Sequence, residues 1–318
     1  MSSGGPTVVS AEAQRFAEML RQAPRMAEMP LAQQRAAGEH AEDLSAEPED
    51  VRYDTVSDAA DAADAADGDA GVAGVWVQET GAAPTSTVLY LFGGGHVITS
   101  PASRHKFAGH LARALDARVL LLDYPLAPEH PYPQDVDAAV RAARWLLDRQ
   151  GVPPERLVLV GESSGGGLVL ETLLAAARAG LPRPGAAYLM SPWADLRCSA
   201  PSFAARRGVD LECSHESLSR MAGQYLDGHD PADPAASPVL AAPADAARAW
   251  PPLLVQVGSH EVLLDDALAV ARLAALADVP VTLDVWPQMQ HFFQLGVGVY
   301  PEAAAALARA GSWLEHQR

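Results

Sequence analysis

The chain has 318 residues, 49% of them hydrophobic, with a formal net charge of −17 and a single lysine, Lys106, among its 23 basic residues. That length and apolar content suit one large α/β enzyme with a sizeable core, and the acidity excludes nucleic acid and anionic membrane surfaces as natural partners. No apolar run approaches the roughly 18 residues that span a bilayer, and no basic-then-apolar leader opens the chain, so a cytoplasmic protein without a signal peptide is expected.

Residues 11–20 and 31–39 carry helical apolar spacing. Residues 51–56 and 74–78 are extended and predict a first pair of strands. Between them, 57–71 repeats Asp-Ala-Ala units, and Asp58, Asp61, Asp64, Asp67 and Asp69 lack calcium-loop spacing, which predicts an acidic, mobile hairpin tip. From residue 86 onward strand and helix alternate. Short apolar strands are predicted at 86–92, 119–122, 157–160, 187–190, 253–257 and 281–285, and helices at 103–115, 136–148, 166–178, 265–276 and 303–315. Such alternation builds a mostly parallel sheet covered by helices on both faces. Residues 198–233 interrupt it, with Phe203, Leu218, Met221, Tyr225 and Leu226 at partly helical spacing. The two cysteines, Cys198 and Cys213, read as reduced structural thiols in a cytoplasmic protein. Neither has metal-ligand spacing with the histidines. Asp265 and Asp266 open a helix and favour its dipole rather than joining His260 and His291 around a metal. No metal and no cofactor are expected.

Three motifs carry chemistry. Gly161-Glu162-Ser163-Ser164-Gly165 follows the apolar run at 157–160 and opens a helix, the layout of a nucleophile elbow in which small flanking residues tolerate a sharp turn and expose the serine hydroxyl. The strand at 86–92 runs into Gly93-Gly94-Gly95, whose N–H groups, joined by that of Ser164, can hold the oxyanion of a tetrahedral intermediate. Downstream, the strand at 281–285 leads to His291, the candidate general base.

With these motifs the chain resembles the hormone-sensitive-lipase-type α/β-hydrolases, the bacterial family IV esterases, and is most similar to their ε-lactone hydrolase-like branch. The matching stretches are LYLFGGGHVITS (89–100), LLDYPLAPEHPYP (121–133), GESSGGGL (161–168), LMSPWADL (189–196), VGSHEVLLDDA (257–267) and WPQMQHFF (286–293). The resemblance implies an α/β-hydrolase core over 51–197 and 236–318, with N-terminal cap helices over 1–50 and a cap insertion over 198–235. It also implies Ser163 as nucleophile, His291 as base, and Gly94, Gly95 and Ser164 as the oxyanion hole.

Two positions depart from the family pattern. Where an aspartate normally orients the base, the alignment places His260, and an imidazole stabilises the charged base poorly. Either His260 completes the triad, or a carboxylate replaces it, or hydrolysis is feeble. Asp195, after the preceding strand, is the alternative acid; Glu261 is adjacent but expected to point away. At the oxyanion loop the family's HGGG-aromatic becomes Phe92-Gly93-Gly94-Gly95-His96, so Phe92 is expected to hold the loop by packing and His96 to face the acyl pocket. Met19, Leu20, Met26, Met29, Met221, Phe293 and, most directly, Phe203 and Phe292 are candidates to line that pocket, while Arg206 and Arg207 leave room for a carboxylate. The expected reaction is hydrolysis of a hydrophobic ester or lactone through an acyl-enzyme. The alternatives are an acyltransferase or cyclase, or a weakly active ligand-binding relative. A small-molecule substrate is the expected partner, with no nucleic acid and no membrane, and a homodimer is compatible with this reading.

Overall fold

A computed structural model of the chain describes residues 9–23, 29–58 and 71–318. The order is α1 (Ala11–Gln22), α2 (Leu31–Glu39), β1 (Val51–Asp58), β2 (Val72–Glu79), β3 (Ser86–Leu91), α3 (His105–Ala114), β4 (Ala117–Leu122), α4 (Gln134–Asp148), β5 (Leu157–Glu162) and α5 (Ser164–Arg178). There follow β6 (Ala186–Met190), α6 (Ser202–Ala205), α7 (His215–Leu226), α8 (Pro243–Ala249), β7 (Leu253–Gly258), α9 (Leu264–Leu276), β8 (Val281–Trp286) and α10 (Pro301–Glu315).

The strands form one sheet in the order β1-β2-β4-β3-β5-β6-β7-β8. β2 runs antiparallel to both β1 and β4, and every other pairing is parallel. Strands β5, β6 and β7 are buried along their whole length, which is why their sequences are apolar apart from Glu162 and Gln256 rather than alternating. β1 lies at an edge and exposes Arg52, Asp54 and Asp58, charges that discourage pairing with another sheet.

The predicted strand–helix alternation holds, and the differences are local. α5 begins at Ser164 and runs through Gly165, Gly166 and Gly167, because close packing on β3 and the β6 loop overrides glycine's poor helix propensity. α10 starts two residues before the predicted boundary, at Pro301, whose fixed φ suits the first helical position. The seven residues of α8 are too few for a periodic signal. The Asp-Ala-Ala stretch at 59–70, with Asp61, Asp64, Asp67 and Asp69, lies outside the described residues, as does Met26. Among the described residues no helix is long and apolar enough to cross a membrane.

A second buried cluster sits apart from the sheet core. It joins Phe203, Leu218, Met221 and Tyr225 of the 198–235 insertion to Val97 after β3, Trp193 and Leu196 after β6, and Val262 after β7. All three core segments leave the carboxyl ends of parallel strands, the edge at which open α/β sheets bind ligands.

Candidate active site

Ser163 occupies the turn between β5 and α5 with φ 55 and ψ −125, a conformation unfavourable for a residue with a side chain. It is held from both sides: its N–H donates to the Met190 carbonyl at 2.9 Å, and its own carbonyl accepts from Trp193 N–H at 2.9 Å. The flanking glycines are required by space. A Cβ on Gly161 would meet the Gly165 carbonyl, and one on Gly165 would meet the carbonyls of Leu91 and Phe92.

The glycine loop after β3 is braced without a histidine at its first position. Gly93 N–H donates to Glu162 Oε1 at 2.7 Å, and the same oxygen accepts from Arg104 Nε at 2.7 Å. Tyr90 donates to the other Glu162 oxygen at 3.0 Å. The Thr99 and Tyr124 hydroxyls donate to the carbonyls of Gly93 and Phe92, and the Phe92 ring stacks on Tyr124 with centroids 4.3 Å apart. Packing by Phe92 therefore matches expectation, with the Glu162–Arg104 pair as an unforeseen brace. Gly94 and Gly95 adopt φ of 114 and 64, and their N–H groups, like that of Ser164, meet no acceptor among the described residues.

His291 Nδ1 lies 3.0 Å from Glu261 Oε2. This corrects the expectation for both residues: Glu261, not His260, meets the imidazole. The loop after β7 curls over itself, so Glu261 Oε1 accepts from Gly258 N–H at 2.5 Å and from the Ser191 hydroxyl at 2.8 Å. Ser191 Oγ in turn accepts from Phe292 N–H at 3.1 Å, linking the acid to the backbone beside His291. His260 is tied through its N–H to the Met289 carbonyl, and its ring lines a groove with Arg21 and Gln288. Asp195, the other candidate acid, is gripped by Arg197 at 2.8 and 2.6 Å.

Electrostatics follow from this burial. Desolvation lifts Glu261 above the ordinary carboxylate range, with its bond from His291 acting in the opposite direction. For His291 burial disfavours the imidazolium, but contacts with Cys213 and Glu261 outweigh it and raise the pKa well above the usual histidine value. Burial pushes the Cys213 thiol up to about 11.

Two side chains tie residues 209–213 to the loops that carry these groups. Asp210 Oδ1 accepts from the N–H groups of Glu212 and Cys213 at 2.9 and 2.7 Å, and Oδ2 accepts from Val262 N–H at 2.8 Å, next to Glu261. Gln290 accepts from Leu211 N–H at 3.0 Å and donates to the Val209 carbonyl at 3.3 Å.

Three residues expected at the pocket are engaged in buried contacts. His96 is 1% exposed and turned to Asp135, with Nδ1 2.8 Å from Asp135 Oδ2. Phe203 packs in the insertion's own cluster against His215. Phe292 packs edge-on against Phe107, with Arg104 over its ring. A separate cavity of about 350 Å³ lies between α1 and the loop before His291, lined by Phe16, Arg21, His260, Met289, Phe293 and Tyr300 among others, with neither Ser163 nor His291 in its wall.

Comparison with known proteins agrees with this architecture. The family model Abhydrolase_3, described as alpha/beta hydrolase fold, matches residues 88–295. The chain is 44% identical over 228 residues to an acetyl-hydrolase of Streptomyces hygroscopicus, covering 72% of this chain and 75% of that protein. An esterase from the bacterial hormone-sensitive lipase family superposes with a TM-score of 0.86 at 36% identity, covering 98% of this chain and 99% of that one. EstE5, from a crystal soaked in p-nitrophenyl butyrate, gives 0.85 at 36% identity, covering 97% and 99%. The chain therefore belongs to the Abhydrolase_3 family of the alpha/beta hydrolase fold and is a carboxylesterase-type serine hydrolase.

Proposed function

We propose that the enzyme hydrolyses a hydrophobic carboxylic ester or lactone through an acyl-enzyme, with Ser163 as nucleophile, His291 as general base and Glu261 as the acid that orients it. The observation that carries this assignment is the buried 3.0 Å contact between Glu261 Oε2 and His291 Nδ1. A carboxylate there keeps the proton on Nδ1, leaves Nε2 free to take the serine proton, and stabilises the imidazolium that results. Ser163 then attacks the carbonyl carbon, and the N–H groups of Gly94, Gly95 and Ser164 receive the negative oxygen. His291 returns the proton to the leaving alcohol, and water repeats the sequence to release the acid. Helices α1 and α2 and the 198–235 insertion act as the cap.

The alternatives are acyl transfer to another acceptor and ligand binding alone; the carboxylate beside His291 supports hydrolysis by supplying the acid whose absence would weaken water activation. Hydrolysis of p-nitrophenyl butyrate and ε-caprolactone by wild type and Ser163→Ala, with fluorophosphonate labelling, tests the assignment. Wild type should hydrolyse and label at Ser163, and the variant should lose about 10⁴-fold or more of kcat. Unlabelled wild-type protein would overturn it.

A further inference from the structure

His96 links the glycine loop to three helices. Its N–H donates to Ser164 Oγ at 3.1 Å and its carbonyl accepts from Ala127 N–H at 2.9 Å, with φ at 62. The ring stacks face to face on Tyr225 of α7, with centroids 3.7 Å apart and planes within 8°. Its Nδ1 meets Asp135 of α4 at 2.8 Å, whereas Nε2 is buried without a partner among the described residues, so Asp135 is the ring's polar tether. The Tyr225 hydroxyl lies 2.9 Å from Asp135 Oδ1 and 3.0 Å from Glu171 Oε2 of α5.

A phenol has one proton, so it can donate to only one of two carboxyl groups. Burial, then the charge of Asp135, raises Glu171 well above the ordinary carboxylate range. Glu171 therefore keeps its proton and donates it to the Tyr225 oxygen, while Tyr225 and His96 both donate to Asp135. All four groups are buried and, apart from His96 Nε2, none carries a buried side-chain polar atom without a partner among the described residues, an arrangement that holds one geometry firmly. One helical turn before Tyr225, Met221 lies against Gly95, where a Cβ on the glycine would meet the Met221 sulfur. The same face of α7 thus touches the glycine loop at Gly95 and at His96.

We propose that His96, Asp135 and Tyr225 are positioning residues through which cap helix α7 sets the direction of the Gly94 and Gly95 amides, so that the cap governs stabilisation of the tetrahedral intermediate as well as access. The inference rests on the oxyanion role assigned above. Its test is steady-state hydrolysis of p-nitrophenyl acetate by Tyr225→Phe and Asp135→Asn, each checked for folding by thermal melt, together with inhibition by a trifluoromethyl ketone that forms the tetrahedral adduct. Misaimed donors should lower kcat about 10- to 100-fold with KM within about threefold, and weaken the ketone by the same factor as kcat. A purely structural role would change melting temperature without that split. Should either variant unfold, Met221→Ala, which frees Gly95 without stranding a carboxyl group, should show the same pattern. Folded variants that keep kcat and ketone affinity within twofold, or that change KM alone, would overturn the inference. Failure of wild type to label at Ser163 would instead sink the hydrolase assignment beneath it.

Discussion

Replacing Glu261 by glutamine distinguishes the two neighbouring candidates for the acid most sharply. The carboxylate has three partners: His291 Nδ1 at 3.0 Å on one oxygen, and Gly258 N–H and the Ser191 hydroxyl at 2.5 and 2.8 Å on the other. A glutamine keeps the volume but has one oxygen and one NH₂ group. The Gly258 amide can only donate, so the side-chain oxygen turns toward it and the NH₂ toward His291. Nδ1 must then accept, the proton moves to Nε2, and the ring can no longer take the serine proton. The equivalent wrong-tautomer change in a serine protease costs about 10⁴ in turnover, or about 5 kcal/mol of transition-state stabilisation. We expect Glu261→Gln to lose kcat by about that factor with KM little changed, and His260→Ala to stay within about threefold of wild type. Both are read from p-nitrophenyl butyrate kinetics on protein shown folded by circular dichroism. A large loss in His260→Ala with a mild one in Glu261→Gln would refute the assignment.

Two further outcomes follow from buried charges. Because His291 must be neutral to act as base and its pKa is raised, kcat/KM should reach half-maximum on the acidic side above pH ~6.5; the residual activity of Glu261→Gln should have its limb at lower pH, and an unmoved limb would contradict the pairing. Asp266 accepts the N–H groups of Ala194 and Asp195 at 2.9 and 3.0 Å, and burial pushes its pKa up to about 8. A raised acid pKa means the fold holds the proton more tightly than the open chain, so this stability is present below pH ~4 and is lost as pH rises through about 8. Asp266→Asn, neutral throughout and still able to accept both amides, should melt above wild type at pH 9 with the gap closing toward pH 5; parallel curves would count against it.

Much of the fold was legible because parallel strands buried on both faces are near-continuous apolar runs, and 157–160, 187–190 and, Gln256 aside, 253–257 are such runs. Ser163 and the glycine loop were legible for a different reason: each lies where a strand ends, and the chemistry is carried by local backbone shape. Glu261 was not. Side-chain direction can be counted off along a strand, but the count stops at Gly258, and the turn that brings Glu261 back over the Gly258 amide inverts which neighbour faces inward. His96 misled similarly, since its ring's partners Asp135 and Tyr225 come from two separate helices and no local pattern announces their meeting.

The attachment of residues 209–213 has a practical consequence for redesign. Asp210 and Gln290 fasten this stretch to the loops that carry Glu261 and His291, so the segment cannot be exchanged as an independent module. A chimera that imports a foreign loop here to broaden substrate range inherits a registration problem: unless Gln290 and the Val262 amide find equivalent mates, the base and its acid would lose alignment before any new pocket could be used. Diversity is better sought along α1, which borders the cavity from the opposite side and makes no hydrogen bond to either loop among the described residues.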